Sequence, residues 1–177
     1  MKQRVFALVG VSGVGKTTFL KRLRSILEFQ HLSAGTLILE ARKASHAERD
    51  AVRIRDVGEN QRFLLSGFQM FRDKCATRVV LDGHVVIHTL KGIETISPSV
   101  FEAIGIDGLL HLSAPPEAIL GNRTSDASRS RPQLSVLEIS EHQDISLSGA
   151  KKIAAALNIP FCEVSGDDLT RAQHFMG

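Results

Sequence analysis

The sequence has few cysteines, little excess charge of either sign and no long apolar run. Its two cysteines, Cys75 and Cys162, stand far apart and outside any metal-binding or redox motif, so we interpret both as reduced thiols. No apolar run approaches the length of a membrane span, and the first predicted strand begins close to Met1, so we expect neither a membrane helix nor a leader segment. These absences predict a cytoplasmic protein.

The acidic and basic residues nearly balance, with 22 Lys and Arg against 19 Asp and Glu and a net charge of +3. Such a balance suits an anionic small molecule as ligand and does not require nucleic acid. A chain of 177 residues without repeats or linkers is long enough for one α/β domain with a full core. We therefore treat residues 1–177 as a single domain with neither nucleic acid nor a membrane as its partner, and leave its oligomeric state open.

One stretch near the N-terminus has the pattern of a phosphate-binding loop. Residues 5–9 are apolar and begin and end with valine, which is typical of a buried strand. After Gly15 the apolar residues recur every three or four positions, which predicts a helix. The segment between them fits Gly-x-x-x-x-Gly-Lys-Thr. It consists of Gly10, Val11, Ser12, Gly13, Val14, Gly15, Lys16 and Thr17, followed by Thr18.

Each residue type in this loop suits the binding of a nucleoside triphosphate. Glycines let the backbone approach a phosphate closely, so that successive N–H groups converge on it. Lys16 would place an ammonium group on the β- and γ-phosphates, and the hydroxyl of Thr17 is a hard oxygen ligand for Mg²⁺. The Thr18 hydroxyl would cap a free N–H group or contact the α-phosphate.

A second apolar run, residues 78–82, ends in the carboxylate of Asp82. Ligands of open α/β sheets bind at the carboxyl ends of the strands, so Asp82 is expected beside the phosphate-binding loop. It is the candidate for the acidic residue that orders the water shell of Mg²⁺. The alternative is a turn-forming role before Gly83.

The remaining pattern predicts strands that alternate with helices, and hence a parallel sheet with helices on both faces. The first helix is expected to end near Gln30, and residues 31–35 to form at most a brief strand or turn. Residues 121–134 are small and polar and predict a lid, since they carry three arginines at positions suited to closing over phosphates. These are Arg123, Arg129 and Arg131. The alternative for this segment is a solvated basic loop.

Several later segments resemble the nucleoside monophosphate kinases, most closely the archaeal type of adenylate kinase. Residues 82–92 are similar to that family's Asp-x-His-x-x-Ile-x-Thr-x-x-Gly, and residues 49–53 to its Arg-Asp-x-x-Arg. The arginines and aspartate of residues 123–131 match its short lid, and residues 141–143 are the same Glu-His-Gln. The resemblance spans nearly the whole chain.

This resemblance implies a P-loop NTPase fold with a short lid, ATP as phosphoryl donor, Mg²⁺ as cofactor and a nucleoside monophosphate as acceptor, with AMP the first choice. It implies catalytic roles for Lys16 and the three lid arginines. Acceptor-side helices would lie within residues 36–77. The residues expected to bind the acceptor are Arg49 and Arg53, with Arg42 in reserve, and His84. Two positions differ from the family pattern, because Leu39 and Leu147 stand at or near places where those kinases carry arginines.

Two other functions remain open at the level of sequence. In a kinase that acts on a hydroxylated metabolite, Asp82 would double as the general base, whereas a nucleoside monophosphate attacks with an oxygen that is already ionised. A P-loop ATPase or nucleotide switch would act through a protein partner. The sequence has no Asn-Lys-x-Asp guanine-recognition motif, which weakens the GTPase version of that hypothesis.

Overall fold

The computed structural model describes residues 2–44, 57–89, 92–125 and 133–177. Within these ranges, none of the helices is long and apolar enough to cross a lipid bilayer. In chain order the elements are β1 (Arg4–Val9), α1 (Lys16–Leu23), β2 (Gln30–Ser33), α2 (Ala34–Ala44), α3 (Val57–Phe71), β3 (Arg78–Gly83), β4 (Val86–Thr89), β5 (Gly92–Thr95), α4 (Pro98–Ile104), β6 (Gly108–Leu112), α5 (Pro116–Ser125), α6 (Val136–Leu157), β7 (Phe161–Val164) and α7 (Leu169–Met176).

Five of the strands form one sheet in the order β2-β3-β1-β6-β7. Every neighbouring pair in this sheet is parallel. Parallel neighbours cannot be joined by a tight turn, so the connecting helices must cross over the sheet faces. The predicted α/β fold, a parallel sheet with helices on both faces, is confirmed.

Strand β1 lies at the centre of this sheet and is covered on both sides. Val5, Ala7 and Val9 pack with residues of α2, α3, α4 and α6 on one face. Phe6 and Leu8 pack with residues of α1, α5 and α7 on the other. All five side chains are at most 1% exposed, which explains why the strand reads as a continuous apolar run rather than as an alternating one.

The order of the strands reverses at β1, because β2 and β3 lie on one side of it and the later β6 and β7 lie on the other. A crevice opens at such a switch point, beyond the carboxyl ends of the strands. The loop after β1 lies there. In the register of the sheet Leu8 lies opposite Asp82, so the carboxylate that ends β3 lies next to this loop as predicted.

The first helix is shorter than the apolar period predicted. It ends at Leu23 rather than near Gln30, and the chain continues in tighter turns, in which the N–H groups of Ser25 and Ile26 donate to carbonyls three residues back. Ile26 fits the apolar period but is 42% exposed. The shorter helix leaves enough chain for residues 30–33 to form strand β2.

Strands β4 and β5 form an antiparallel hairpin that the sequence analysis did not predict. Its strands are four residues each, and β5 is largely exposed, so neither has the apolar run that indicated the strands of the main sheet. Only His84 and Val85 separate β4 from Gly83, the last residue of β3, so the hairpin extends from the carboxyl edge of the sheet where the loop after β1 lies.

Candidate active site

The phosphate-binding loop turns sharply from β1 into α1. Gly13 and Gly15 have φ values of 90° and 100°, a left-handed conformation that residues with a Cβ atom rarely adopt. Gly15 is the N-cap of α1 and has no side chain with which to cap it. The N–H groups of the first helical turn are therefore left for a ligand, at the positive end of the helix.

The loop residues and the carboxyl ends of β2 and β3 enclose one cleft of about 530 Å³. Thr17 and Asp82 both line it, as the sequence predicted for a metal-binding pair, and their hard oxygen atoms suit Mg²⁺. The lining residues are Ser12, Gly13, Gly15, Lys16, Thr17, Thr18, Ser33, Ala34, Gly35, Thr36, Leu39, Asp82, Gly83, His84 and Asn122.

The ammonium group of Lys16 lies over the loop. Its Nζ atom donates to the carbonyl of Gly10 at 2.8 Å and to that of Val11 at 3.2 Å. The residue is only 9% exposed although its ammonium is charged. Backbone carbonyls compensate part of its desolvation, and an anionic phosphate in the cleft would compensate it more strongly.

The sequence predicted that His84 contacts the acceptor, and the structure shows a contact with the phosphate-binding loop. Its Nδ1 atom donates to the Gly10 carbonyl at 2.8 Å, the same oxygen that Lys16 contacts. His84 also lines the cleft, so a contact with the acceptor stays a prediction.

Asp82 has a partner that the sequence analysis missed. The Nε2 atom of His31, on β2, lies 2.7 Å from its Oδ2 atom. The two residues are 51 positions apart, and no motif links them. Only the pairing of β2 with β3 reveals this contact.

Helix α5 contacts the phosphate-binding loop from the side of the predicted lid. The Asn122 side chain donates to the Gly13 carbonyl at 2.9 Å, and Arg123 Nη1 donates to the Ser12 carbonyl at 3.4 Å. A Cβ atom on Gly13 would lie 2.6 Å from Arg123 Cγ, so the loop and this arginine are closely packed. Arg123 therefore contacts the phosphate-binding loop, and its catalytic role stays a prediction.

The predicted lid, residues 121–134, begins within α5, whose last residue is Ser125, and ends next to Ser135, the N-cap of α6. Arg129 and Arg131 lie outside the described residues. Gln143 of α6 ties this region to the sheet, because its side-chain amide bonds both the N–H and the carbonyl of Ala114 at 3.0 Å. Helix α6 is thereby fixed to the segment that leads into α5.

The acceptor side is described only in part, because Arg49 and Arg53 lie outside the described residues. Arg42 does not line the cleft. Its Nη2 atom donates to Asn60 Oδ1 at 2.5 Å, and its guanidinium lies 5.3 Å from the centre of the Phe63 ring, so it joins α2 to α3. Thr36 and Leu39 do line the cleft, and Leu39 is 53% exposed.

A second polar cluster, also missed from sequence, lies at the ends of β6 and β7, where His111 and Ser146 are buried. The Ser113 hydroxyl donates to Glu163 Oε1 at 3.0 Å, and Ser113 Oγ accepts from His111 Nδ1 at 3.1 Å. His111 Nε2 must then accept from the Ser146 hydroxyl, at 3.0 Å. The hydrogen bonds of this cluster run in one direction, from α6 to the carboxylate on β7.

Burial lowers the pKa of His111 from 6.5 to about 4 because the imidazolium would be desolvated. Glu163 acts in the opposite direction, and the charges of Lys16 and Lys151 add to the lowering. His111 is therefore neutral at pH 7, which agrees with one ring nitrogen that donates and one that accepts.

Comparison with known proteins supports the same family that the motifs indicated. A protein-family model described as an AAA domain matches residues 9–140. The adenylate kinase of Thermoplasma acidophilum is 32% identical over 160 residues, which cover 86% of this chain and 81% of that protein. The adenylate kinase of Methanocaldococcus jannaschii is 30% identical over 151 residues, or 80% of this chain and 79% of the relative.

A more distant archaeal relative and a solved structure extend the comparison. The adenylate kinase of Thermococcus onnurineus is 28% identical over 162 residues, which cover 87% of this chain and 82% of that protein. The crystal structure of TT1252 from Thermus thermophilus superimposes with a TM-score of 0.54 at 17% identity, covering 98% of this chain and 96% of that one, and supports the fold alone. With a phosphate-binding loop and Asp82 in one cleft, and relatives that match most of its length, the chain belongs to the P-loop nucleoside monophosphate kinases, in the archaeal adenylate kinase family.

Proposed function

We propose that this protein is an adenylate kinase, which transfers the γ-phosphoryl group of ATP to AMP. The observation that carries the proposal is the cleft itself, which is lined by Lys16 and Thr17 at the N-terminus of α1 and by Asp82 at the end of β3. The archaeal relatives support the choice of nucleotides as both substrates. The same relatives do not favour a hydroxylated acceptor or a nucleotide switch.

Phosphoryl transfer depends mainly on in-line positioning and on neutralising the charge of the transferring group. We expect the loop N–H groups to hold the β-phosphate and the Lys16 ammonium to move from the Gly10 carbonyl onto the transferring phosphate. The phosphate of AMP is already ionised at pH 7 and needs no general base to attack. Asp82 therefore has no proton to remove in this reaction.

The donor set of the cleft fits Mg²⁺, because the Thr17 hydroxyl and the Asp82 carboxylate are hard oxygen ligands at the same place. Thr17 would hold the ion directly, and Asp82 would hold it through its water shell. The bound ion would supply positive charge that neutralises the phosphate oxygens. Both assignments are part of the proposal.

On the lid side, we assign to Arg123, Arg129 and Arg131 the role of stabilising charge on the transferring phosphate when the lid closes. The position of Arg123 against the Ser12 carbonyl supports this assignment for the first of them. Lid closure would also exclude water, which would otherwise hydrolyse ATP.

On the acceptor side, we assign the phosphate of AMP to Arg49 and Arg53. Two anionic substrates repel each other unless the site supplies cations for both, and Lys16 serves the donor. The half-exposed Leu39 adds no charge to the cleft wall, so AMP binding would depend strongly on these two arginines. The cytoplasm, where nucleotides are abundant, is the compartment we propose.

The proposal is tested by measuring ADP formation from Mg·ATP with each nucleoside monophosphate, and with no acceptor as control. We expect transfer to AMP, and loss of that transfer when Arg49 and Arg53 are both replaced by alanine. Replacing the exposed Lys151 and Lys152 of α6 removes the same charge away from the cleft and is the matched control. Transfer to a hydroxylated metabolite but to no nucleoside monophosphate would contradict the proposal.

A further inference from the structure

The contact between His31 and Asp82 follows from the pairing of two strands. His31 lies opposite Val80 in the register of β2 and β3, and Ser33 lies opposite Asp82. Side chains two positions apart on a strand share one face of the sheet, so His31 and Asp82 are diagonal neighbours. Their side chains are 21% and 14% exposed, which places the contact just below the surface of the cleft.

The hydrogen bond commits one oxygen of Asp82. The carboxylate can only accept, so Nε2 of His31 carries a hydrogen atom and donates it to Oδ2 at 2.7 Å. The last torsion of an aspartate side chain is otherwise broad, with little preference between orientations. The bond from the imidazole to Oδ2 fixes that torsion. It therefore also sets the direction of Oδ1, which the imidazole does not contact in this bond.

We propose that His31 is a positioning residue for Asp82, one that holds the carboxylate so that Oδ1 faces the cleft. This inference rests on the proposed function, because it is the water shell of Mg²⁺ that Oδ1 would order. Partners behind a metal-binding carboxylate set its orientation, and their loss costs about 10- to 100-fold in metal affinity. His31 touches neither substrate nor metal in this arrangement and acts only through Asp82.

The test measures metal affinity rather than turnover. Mn²⁺, a paramagnetic substitute for Mg²⁺, is titrated into the protein saturated with a non-hydrolysable ATP analogue, and free Mn²⁺ is followed by electron paramagnetic resonance. We expect His31→Leu, which removes the donor, to weaken Mn²⁺ binding about tenfold. His31→Gln keeps an N–H donor at a similar distance from the backbone and should restore most of the affinity.

Two comparisons separate positioning from a merely structural role. In His31→Leu, the affinity for the ATP analogue without metal should change less than twofold. The control variant His174→Leu, on α7 away from the cleft, should leave Mn²⁺ binding unchanged. In a protein that already carries Asp82→Asn, adding His31→Leu should weaken Mn²⁺ binding no further. Unchanged affinity in His31→Leu, or an undiminished effect in the Asp82→Asn protein, would overturn the proposal.

The unmodified protein gives an independent measurement if His31→Leu does not fold. Long-range ¹H–¹⁵N NMR correlations of the imidazole, assigned with His31→Gln, should place a hydrogen atom on Nε2, and a ring protonated on Nδ1 alone would overturn the proposal. Failure of the proposed function is distinguishable, because it would appear as a lack of transfer to AMP while the dependence of metal affinity on His31 remained.

Discussion

Lys16 is the residue on which we expect phosphoryl transfer to depend most strongly. Its Nζ atom lies 2.8 Å from the Gly10 carbonyl, within the loop that would hold the phosphates. Lys16→Ala should lower the transfer rate on the order of a hundredfold or more, since a preorganised charge at the transition state is lost. Lys21→Ala, on the exposed side of the same helix, is the matched control for a steady-state assay. Transfer within a few-fold of the unmodified rate would contradict the role of the loop.

A second residue, Asp82, should control the response to Mg²⁺. Asp82→Asn keeps the shape of the side chain but removes the charge that would order the water shell of the metal. The Mg²⁺ concentration for half-maximal activity should rise about tenfold or more, together with a lower maximal rate. Asp167→Asn, an exposed carboxylate with 93% of its side chain accessible, is the control. An unchanged Mg²⁺ titration would leave Asp82 with the turn-forming role alone.

At the level of single residues, the sequence predicted the candidate site residues whose role depends on local spacing. Lys16 and Thr17 follow from the loop motif, and Asp82 follows from its place at the end of an apolar strand. The contacts of His31 with Asp82 and of His111 with Ser146 could not be predicted, because these partners are 51 and 35 residues away and depend on which strands and helices become neighbours. An isolated histidine carries no sign of such a partner.

Among the elements, α5 and the phosphate-binding loop form one packed unit. Gly13→Ala would place a methyl group 2.6 Å from Arg123 Cγ and would also strain the backbone at a φ of 90°. We expect ATP affinity to fall about tenfold, because a left-handed conformation costs on the order of 1–2 kcal/mol for a residue with a Cβ atom. Gly166→Ala, with no atom within 4 Å of the added methyl group, is the control in an equilibrium binding measurement. Unchanged affinity would mean that loop and helix adjust freely.

The strands of the main sheet were predictable where consecutive residues along the strand are buried. Strands β1, β3 and β6 are apolar because both faces of the sheet are covered. The predicted end of α1 was wrong because the backbone changes to tighter turns after Leu23, although the apolar period extends to Ile26. The β4–β5 hairpin was missed because short exposed strands lack an apolar pattern.

For the whole molecule, the buried His111 should make stability depend on pH. Its pKa is 6.5 when unfolded and about 4 when folded, so the unfolded chain binds more protons between these values. The free energy of unfolding should be fully retained above pH 6.5 and should fall by roughly 3 kcal/mol as pH decreases through this range. Urea unfolding at several pH values measures the slope.

The contribution of His111 is isolated by comparison with variants. His111→Gln removes the titrating group and should flatten the pH dependence of the unfolding free energy between pH 6.5 and 4. His174→Gln, near the C-terminal end of α7, removes a histidine outside the core and should keep the steep dependence. Equal slopes in the unmodified protein and His111→Gln would show that other groups cause the loss of stability.

The carbonyl of Gly10 accepts from two side chains, Lys16 and His84, and this affects what it costs the protein to bind a nucleotide. When the ammonium group turns toward a phosphate, the carbonyl keeps the imidazole as a partner. A buried acceptor without any partner would oppose binding by about 1–3 kcal/mol. The second donor removes that penalty at the Gly10 carbonyl, so we expect the lysine to turn toward a phosphate without leaving this oxygen unpaired.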